Sequence, residues 1–504
     1  MSTIWAAGSS TAAAGPDVAA ASPAAEEVLS RREQKAGPLY AGRVRVYPKS
    51  VSGTIRRIKW AALIVLLGIY YLVPWLRWDR GPGAPDQAVL IDMPGRRAYI
   101  LWIEIWPQEV YYLAGLLILA ALGLFLVTSV AGRIWCGYAC PQTVWTDLYM
   151  LVERWIEGDR NARMRRDRGP LTPGTAALKT AKHAAWLLIA LFTGGAWVMY
   201  FRDAPTVVGE IFTGQASTSV YFFVGLFTAT TYLLAGWARE QVCTYMCPWP
   251  RFQSALLDED SLVVSYRAWR GEPRGKHKKG ESWENRGHCI DCRQCVAVCP
   301  TGIDIRDGLQ LECIGCGLCI DACNAVMDKV GLPRGLIAFD TDRHLKAGSA
   351  VASLRARIVR PRTVLYAVLI AGIAVGLLWS LGTRATFGLN VLHERNPLFV
   401  TLSDGSIRNA YTVKVLNKTR QPRDLRLSLE GLREARLYAP GRGDGEGGSV
   451  RLEAGPDEVA TFQVFVQRPR AAVRRDSETF SFVLTDPASG ETASHHSVFR
   501  GPRR

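Results

Sequence analysis

Eight of the twelve cysteines fall in two runs, Cys289, Cys292, Cys295, Cys299 and Cys313, Cys316, Cys319, Cys323, each spaced x2-x2-x3, with Pro300 closing the first. Three thiolates two residues apart can wrap one corner of an iron–sulfur cube, while the fourth, carried onward, completes the neighbouring cube. The expected ligand sets are therefore crossed. Cluster one takes Cys289, Cys292, Cys295 and Cys323; cluster two takes Cys313, Cys316, Cys319 and Cys299. Gly315 and Gly317 leave room for amides to approach the sulfides. Structural zinc is the bland alternative, but zinc takes four ligands per ion, and a doubled x2-x2-x3 run is not its usual spacing. Two departures stand out: Asn324 follows Cys323 where the first run has Pro, and only 13 residues separate Cys299 from Cys313. Two [4Fe–4S] clusters so held make a wire, and the chemistry must be done elsewhere.

The other four cysteines form two pairs, Cys136 with Cys140 and Cys243 with Cys247, each Cys-x3-Cys-Pro. A helix starting at Pro141 or Pro248 suits proline, and a spacing of four puts both sulfurs on one side of a helical turn. Four thiolates can converge on one metal. Softness favours Cu(I), zinc or an additional iron–sulfur centre, with the Met246 thioether close by. A redox dithiol, or ordinary free thiols, are the alternatives, and Met246 is more often a packing residue. The seven histidines add little: His183 beside an apolar stretch reads as packing, His288 as exposed, and His495 and His496 as strand neighbours on opposite faces. No Gly-x-Gly-x-x-Gly or P-loop supports nucleotide chemistry.

Five charge-free windows position these residues: Trp60–Leu76, Val110–Val130, Ala184–Phe201, Thr218–Ala238 and Thr363–Thr383. Each matches a bilayer core of about 30 Å, so five transmembrane helices are expected. Lys and Arg number 9 before the first window, 9 in residues 131–183 and 19 in residues 239–362, against 4 and 1 in the alternate loops 77–109 and 202–217. The positive-inside rule then puts the basic segments and all cysteines in the cytoplasm and the C-terminal region outside. The net charge of +16 is thus explained by topology rather than by nucleic acid. Cysteines confined to residues 136–323 exclude a secreted disulfide scaffold. The repeat of span, Cys-x3-Cys-Pro and amphipathic segment in 110–160 and 218–260 reads as an internal duplication, each amphipathic segment a helix along the membrane surface.

Beyond Thr383 the hydrophobic period becomes two, at Val413 and Val415, Leu425 to Leu429, Phe462 to Val466 and Phe480 to Leu484. An antiparallel β-sandwich of immunoglobulin type is expected, with a docking or structural role. Asn417-Lys-Thr matches a glycosylation sequon but reads as a turn, and the Gly-rich stretch 441–448 as a loop. The expected organisation is a disordered tail over 1–40 without a cleavable signal, a membrane domain over 41–260, and a two-cluster ferredoxin-like domain over 261–345. A linker and fifth span over 346–383 and the sandwich over 384–504 complete it.

With Val46-Tyr47-Pro48 before the first span and Trp106-Pro107-Gln108-Glu109 before the second, the order of parts resembles the FixG/CcoG/RdxA family of cytochrome c oxidase accessory proteins, the membrane polyferredoxins of Gram-negative bacteria. The resemblance covers nearly the whole chain. It implies a multi-pass inner-membrane protein, with its ferredoxin domain cytoplasmic and its sandwich periplasmic, needed to assemble a cbb3-type oxidase. The activity it implies is cupric reduction. Electrons from a cytoplasmic donor would reduce Cu(II) at Cys136, Cys140, Cys243 and Cys247, with copper carriers and oxidase subunits or assembly factors as partners. Two other classes stand beside it: a quinol-linked electron-transfer protein, and a non-catalytic assembly scaffold.

Overall fold

Apolar runs without charge become long helices here, because a helix satisfies every backbone polar group within itself. The structure is a computed structural model that describes residues 45–81, 83–278, 280–348, 358–441 and 448–502. Besides two short ones at Ala268–Gly271 and Asp342–Ala347, its helices are α1 (Thr54–Leu72), α2 (Val110–Ala131), α3 (Pro141–Glu157), α4 (Arg160–Arg168), α5 (Pro173–Val198), α6 (Ala204–Thr213), α7 (Thr218–Thr231), α8 (Trp249–Leu256), α9 (Gln294–Val298), α10 (Leu318–Lys329) and α11 (Pro361–Gly382). Among the described residues four helices are long and apolar enough to cross a membrane: Thr54–Trp75, Pro107–Ala131, Thr218–Ala238 and Pro361–Gly382. The remaining window, the third in chain order at 184–201, occupies the second half of α5 and ends past it. Lys179, Lys182 and His183 in the same helix keep α5 out of that set. The tail expected to be disordered lies outside the described residues, as do residues 349–357 of the linker and 442–447 of the Gly-rich stretch.

The loop between the first two spans holds a sheet that the sequence reading missed: β1 (Val89–Asp92), β2 (Arg97–Ile100) and β3 (Ile103–Ile105), in antiparallel order. Its strands are too short to show a period. Gln87 pins it to the end of α5, donating to the Met199 carbonyl at 2.7 Å and accepting from the Ala204 amide at 2.9 Å.

β4 (Val263–Tyr266) pairs antiparallel with β5 (Ile337–Asp340), and the two bracket both cysteine runs. The short helices α9 and α10 follow Cys292 and Cys316 respectively. Val264, Ile305, Met327 and Ile337 form a buried core with Cys289 and Cys295.

The chain divides into two compact units at Leu377 and Leu378. The second holds an antiparallel sandwich. One sheet is ordered β10 (Arg436–Tyr438), β12 (Glu458–Arg468), β8 (Ile407–Asn417), β6 (Phe387–His393), with β7 (Val400–Thr401) also on β8. The other is ordered β11 (Ser449–Ala454), β9 (Arg423–Glu430), β13 (Ser477–Thr485), β14 (Thr492–Arg500). Every expected apolar alternation is a strand, and Val413, Val415, Leu425, Leu427, Val464, Val466, Phe482 and Leu484 meet in one core. Asn417 is fully buried at the end of β8. Its side chain donates to the carbonyls of Gln421 and Gly455 and accepts from the Thr419 amide, so it builds the turn that its sequence context promised.

Candidate functional site

Both Cys-x3-Cys-Pro motifs adopt the same wide helical turn. The Cys140 amide reaches back five residues to the Trp135 carbonyl at 2.9 Å, and the Cys247 amide reaches Val242 at 2.8 Å. Such one-turn expansions cluster at functional sites because they re-aim side chains within a helix. α3 starts at Pro141 as expected, and α8 starts at Trp249, one residue past Pro248. Each turn is entered through a residue with positive φ, Gly132 at 58° and Arg239 at 40°, so the duplication extends to the backbone.

The turns bring the four thiols together. Cys136 and Cys243 are half-buried; burial first, then the proximity of the other thiols, pushes each up to about 12. The Cys136 thiol donates to Gln253 Oε1 at 3.2 Å, and Gln253 is itself buried. Among the described residues no three His, Cys, Asp or Glu side chains converge tightly enough for a single metal ion. The thiols form a loose group that a metal would have to draw in. Met246, adjacent to Cys247, points outward, 61% exposed.

A buried ion-pair network holds the two turns. Arg56 donates to both oxygens of Asp147, at 3.0 and 2.8 Å, with Lys59 at 3.5 Å. Glu153 takes Arg163 at 2.6 Å and Arg239 at 3.0 Å. Burial raises both carboxyls, yet the neighbouring cations outweigh it and hold them below the usual range. This corrects the surface-helix expectation for the first amphipathic segment. The polar stripe of α3 faces protein cations instead of water, and its Tyr149 and Met150 are buried.

The eight ferredoxin-type cysteines line two cavities. Cys289, Cys292, Cys295 and Cys323 surround one; Cys299, Cys313, Cys316 and Cys319 surround the other, which Cys295 also borders. Burial pushes Cys295, Cys313 and Cys323 up to about 12. Amides of Val296, Gly315, Leu318 and Ile337 donate towards Cys295, Cys313, Cys316 and Cys323 in opposition. Soft thiols around a closed space, served by amide donors, fit an iron–sulfur cluster in each cavity. Gly315 and Gly317, at φ 67° and 70°, adopt a backbone that side chains resist. Among the described residues Cys292 is the exposed one of the eight.

The second cavity abuts the membrane-face turns. Cys136 and Cys243 pack on the buried core formed by Val298, Ile314, Cys316, Leu318 and Ala322, which Cys319 also joins. A Cβ on Gly137 would stand 2.9 Å from the Cys316 Cα, so the two loops touch backbone to backbone. The Tyr138 hydroxyl donates to the Cys316 carbonyl at 3.1 Å. Buried Arg133 donates to the carbonyls of Leu311 and Cys313 on one side and Pro250 on the other. Asp321, between Cys319 and Cys323, accepts from the amides of Ile55 and Arg56 and so caps the first turn of α1. Sequence reasoning missed Arg133, Tyr138, Gln253 and Asp321, since nothing local distinguishes them from ordinary surface residues.

The histidines behave mostly as expected. His183 stacks on Trp237 and pairs with the Tyr232 hydroxyl, and His496 is exposed while His495 lies on the other face of its strand. His288 is half-buried rather than exposed, because Arg270 donates to its Nδ1 at 2.9 Å and draws it in.

Residues 113–158 match the family described as a 4Fe-4S binding domain, and residues 238–342 match the 4Fe-4S dicluster domain. Residues 377–502 match the family described as the IG-like fold at the C-terminal of FixG. The chain is 50% identical over 494 residues to the nitrogen fixation protein FixG of Rhizobium meliloti (strain 1021), spanning 92% of this chain and 94% of that one. It is 49% identical over 481 residues to protein RdxB of Cereibacter sphaeroides, spanning 94% and 99%. Protein RdxA of the same organism is 55% identical over 397 residues, spanning 78% and 84%.

Proposed function

The chain belongs to the FixG/RdxA family of iron–sulfur proteins, and from that premise we propose that it is a membrane cupric reductase supplying Cu(I) for assembly of a cbb3-type oxidase. The observation that carries this reading is the packing of Cys136 and Cys243 on the same buried core as Cys316 and Cys319. Two [4Fe–4S] clusters, one on Cys289, Cys292, Cys295 and Cys323 and one on Cys313, Cys316, Cys319 and Cys299, supply one-electron transfer when bound. Electrons from a cytoplasmic donor enter on the side of Cys292, a reading its exposure supports. The buried core at Cys316 marks the side where they leave.

The four membrane-face thiols bind the substrate copper. Each Cu(II) accepts one electron, and the protons held on Cys136 and Cys243 leave as the thiolates bind the metal. Thiolate softness favours the Cu(I) product, which gives the reduction its direction. With α5 counted as a fifth span, the bias of Lys and Arg between the spans supports a topology with these thiols and the clusters on the cytoplasmic side of the inner membrane and the sandwich in the periplasm.

The test is anaerobic: reduce the clusters, add Cu(II), and follow cluster reoxidation together with Cu(I) capture by a chelator, in wild type and in a variant with Cys136, Cys140, Cys243 and Cys247 all changed to Ser. Matching Cu(I), lost in the variant, is the expected result. Clusters indifferent to Cu(II) would sink the reading. The match of residues 113–158 to a 4Fe-4S binding family favours a second reading, a third cluster on the same four thiols. Iron and sulfide analysis separates the two, since the second requires three cubes per chain and the first only two.

A further inference from the structure

At the cysteine-bearing end of the helical bundle, beside the second turn, lies a cavity of about 380 Å³. Four cations line it, Arg45, Lys179, Lys182 and Arg239, against one acid, Glu240. Their counter-ions stand behind them. Asp167 is shared by Arg45 at 2.7 Å and Lys179 at 2.5 Å. Glu153 is shared by Arg163, Lys182 and Arg239, and Glu157 takes Lys182 at 2.9 Å. Five cations thus meet four carboxylates even when Glu240 is counted, and the buried Nη2 of Arg239 has no hydrogen-bond partner. The lining therefore keeps a net positive charge and one buried donor unused.

Its depth indicates which anion suits it. Lys182 immediately precedes the apolar half of α5, and Arg239 immediately follows the apolar extension of α7, so the cations sit where lipid phosphates lie. Trp186 and Trp237 form the walls, with the Lys182 ammonium and the Arg239 guanidinium each 4.9 Å from the Trp186 ring. Tryptophan is the side chain that favours this interfacial layer. Above the cavity, exposed Leu233 and Trp237, one turn apart, offer an apolar track for an acyl chain. We propose that this cavity binds the phosphate group of an anionic membrane phospholipid. The inference is independent of the copper chemistry.

The experiment uses the full-length, cluster-loaded protein, delipidated in detergent and titrated with phosphatidylglycerol or cardiolipin, with phosphatidylcholine, and with inorganic phosphate. The readouts are thermal shift and native mass spectrometry. Anionic lipid alone should stabilise the wild type. The double variant R45Q/K179Q, which spares the buried pairs of Lys182 and Arg239, should need roughly tenfold or more lipid for the same effect. R343Q/K346Q, removing two exposed cations elsewhere, should behave as wild type. Inorganic phosphate that reproduces and competes with the lipid effect would overturn the lipid source. Equal stabilisation by phosphatidylcholine, or an unchanged response of R45Q/K179Q, would overturn the site.

Discussion

Cys136–Cys140 and Cys243–Cys247 sit on turns closed by the same five-residue hydrogen bond, and they differ in what covers them. Over the first turn lies the loop of the second cluster cavity, against Gly137, Tyr138 and Arg133. At the equivalent places of the second turn stand Thr244, Tyr245 and Glu240; Tyr245 is 73% exposed, and Cys247 and Met246 are open as well. Duplication supplied two cysteine-bearing turns of one shape. On the proposed reading packing then divided the labour: Cys136 and Cys243, on the core shared with Cys316, face the electron source, and the open end of the second turn, at Cys247, faces the substrate. Gly137 shows how little sequence this took, since only a residue without a side chain permits the backbone approach to Cys316.

The largest effect should separate a thiol on the shared core from an open one. Cys136→Ser removes the thiol packed on the cluster core and should cut Cu(I) formation by about a hundredfold or more. Cys247→Ser should raise the copper concentration needed for half-maximal rate while leaving the saturated rate nearly intact. Steady-state reduction with an artificial donor reads both. Equal losses in kcat would erase the proposed division. Next comes Gly137→Val against Thr244→Val. The first forces a Cβ into the Cys316 backbone, costing about 1–3 kcal/mol of overpacking, and should slow cluster reoxidation by Cu(II) in stopped flow. The second exchanges a hydroxyl for a methyl of nearly the same size, gives up only the hydrogen bond to the Glu240 carbonyl, and should leave the reoxidation rate unchanged.

Arg133 and Glu240 occupy matching positions with opposite charge. Arg133→Gln withdraws a buried cation that lies near both Cys136 and Cys313, so the reduced, more negative cluster loses stabilisation and its midpoint potential should fall. Hydrogen bonds from a charged donor are worth about 1.5–3 kcal/mol each, so thermal stability should fall as well. Arg133→Lys separates the two: it should restore much of the potential, read by an EPR redox titration, without restoring every carbonyl contact. Glu240→Gln should leave the potential of the clusters almost unmoved. A potential indifferent to Arg133→Gln would reduce this residue to a structural tie.

Much of this was legible in the residues. The alternation in 413–484 became strands because a pleat sorts side chains by parity, and the x2-x2-x3 runs gathered around two cavities because their spacing is local. What the sequence did not show depends on long-range partners. The polar stripe of α3 looks the same whether it meets water or Arg56, Lys59, Arg163 and Arg239, and only the fold decides. Asp321 reads as a helix residue between two ligands, and its role as the cap of α1 involves a chain segment 266 positions away. The sheet β1–β3 was missed because strands of three or four residues carry no period.

The smallest effect tests the comparison at single-atom resolution. Tyr138 and Tyr245 hold the same place in the two turns, and one hydroxyl separates each from phenylalanine. The Tyr138 hydroxyl donates to the Cys316 carbonyl at 3.1 Å in a half-buried site, so Tyr138→Phe leaves that carbonyl without its partner and should cost about 1 kcal/mol of stability. Tyr245 is 73% exposed and packs on nothing comparable, so Tyr245→Phe should leave the unfolding midpoint where it was. Because neither change touches a thiol, copper binding should be intact in both. Any difference between them in the rate of cluster reoxidation then reports how firmly the covered turn is seated on the cluster loop. Identical behaviour of the two variants in stability and in rate would mean that the covered turn gains nothing from this contact, and the asymmetry would rest on Gly137 and Arg133 alone.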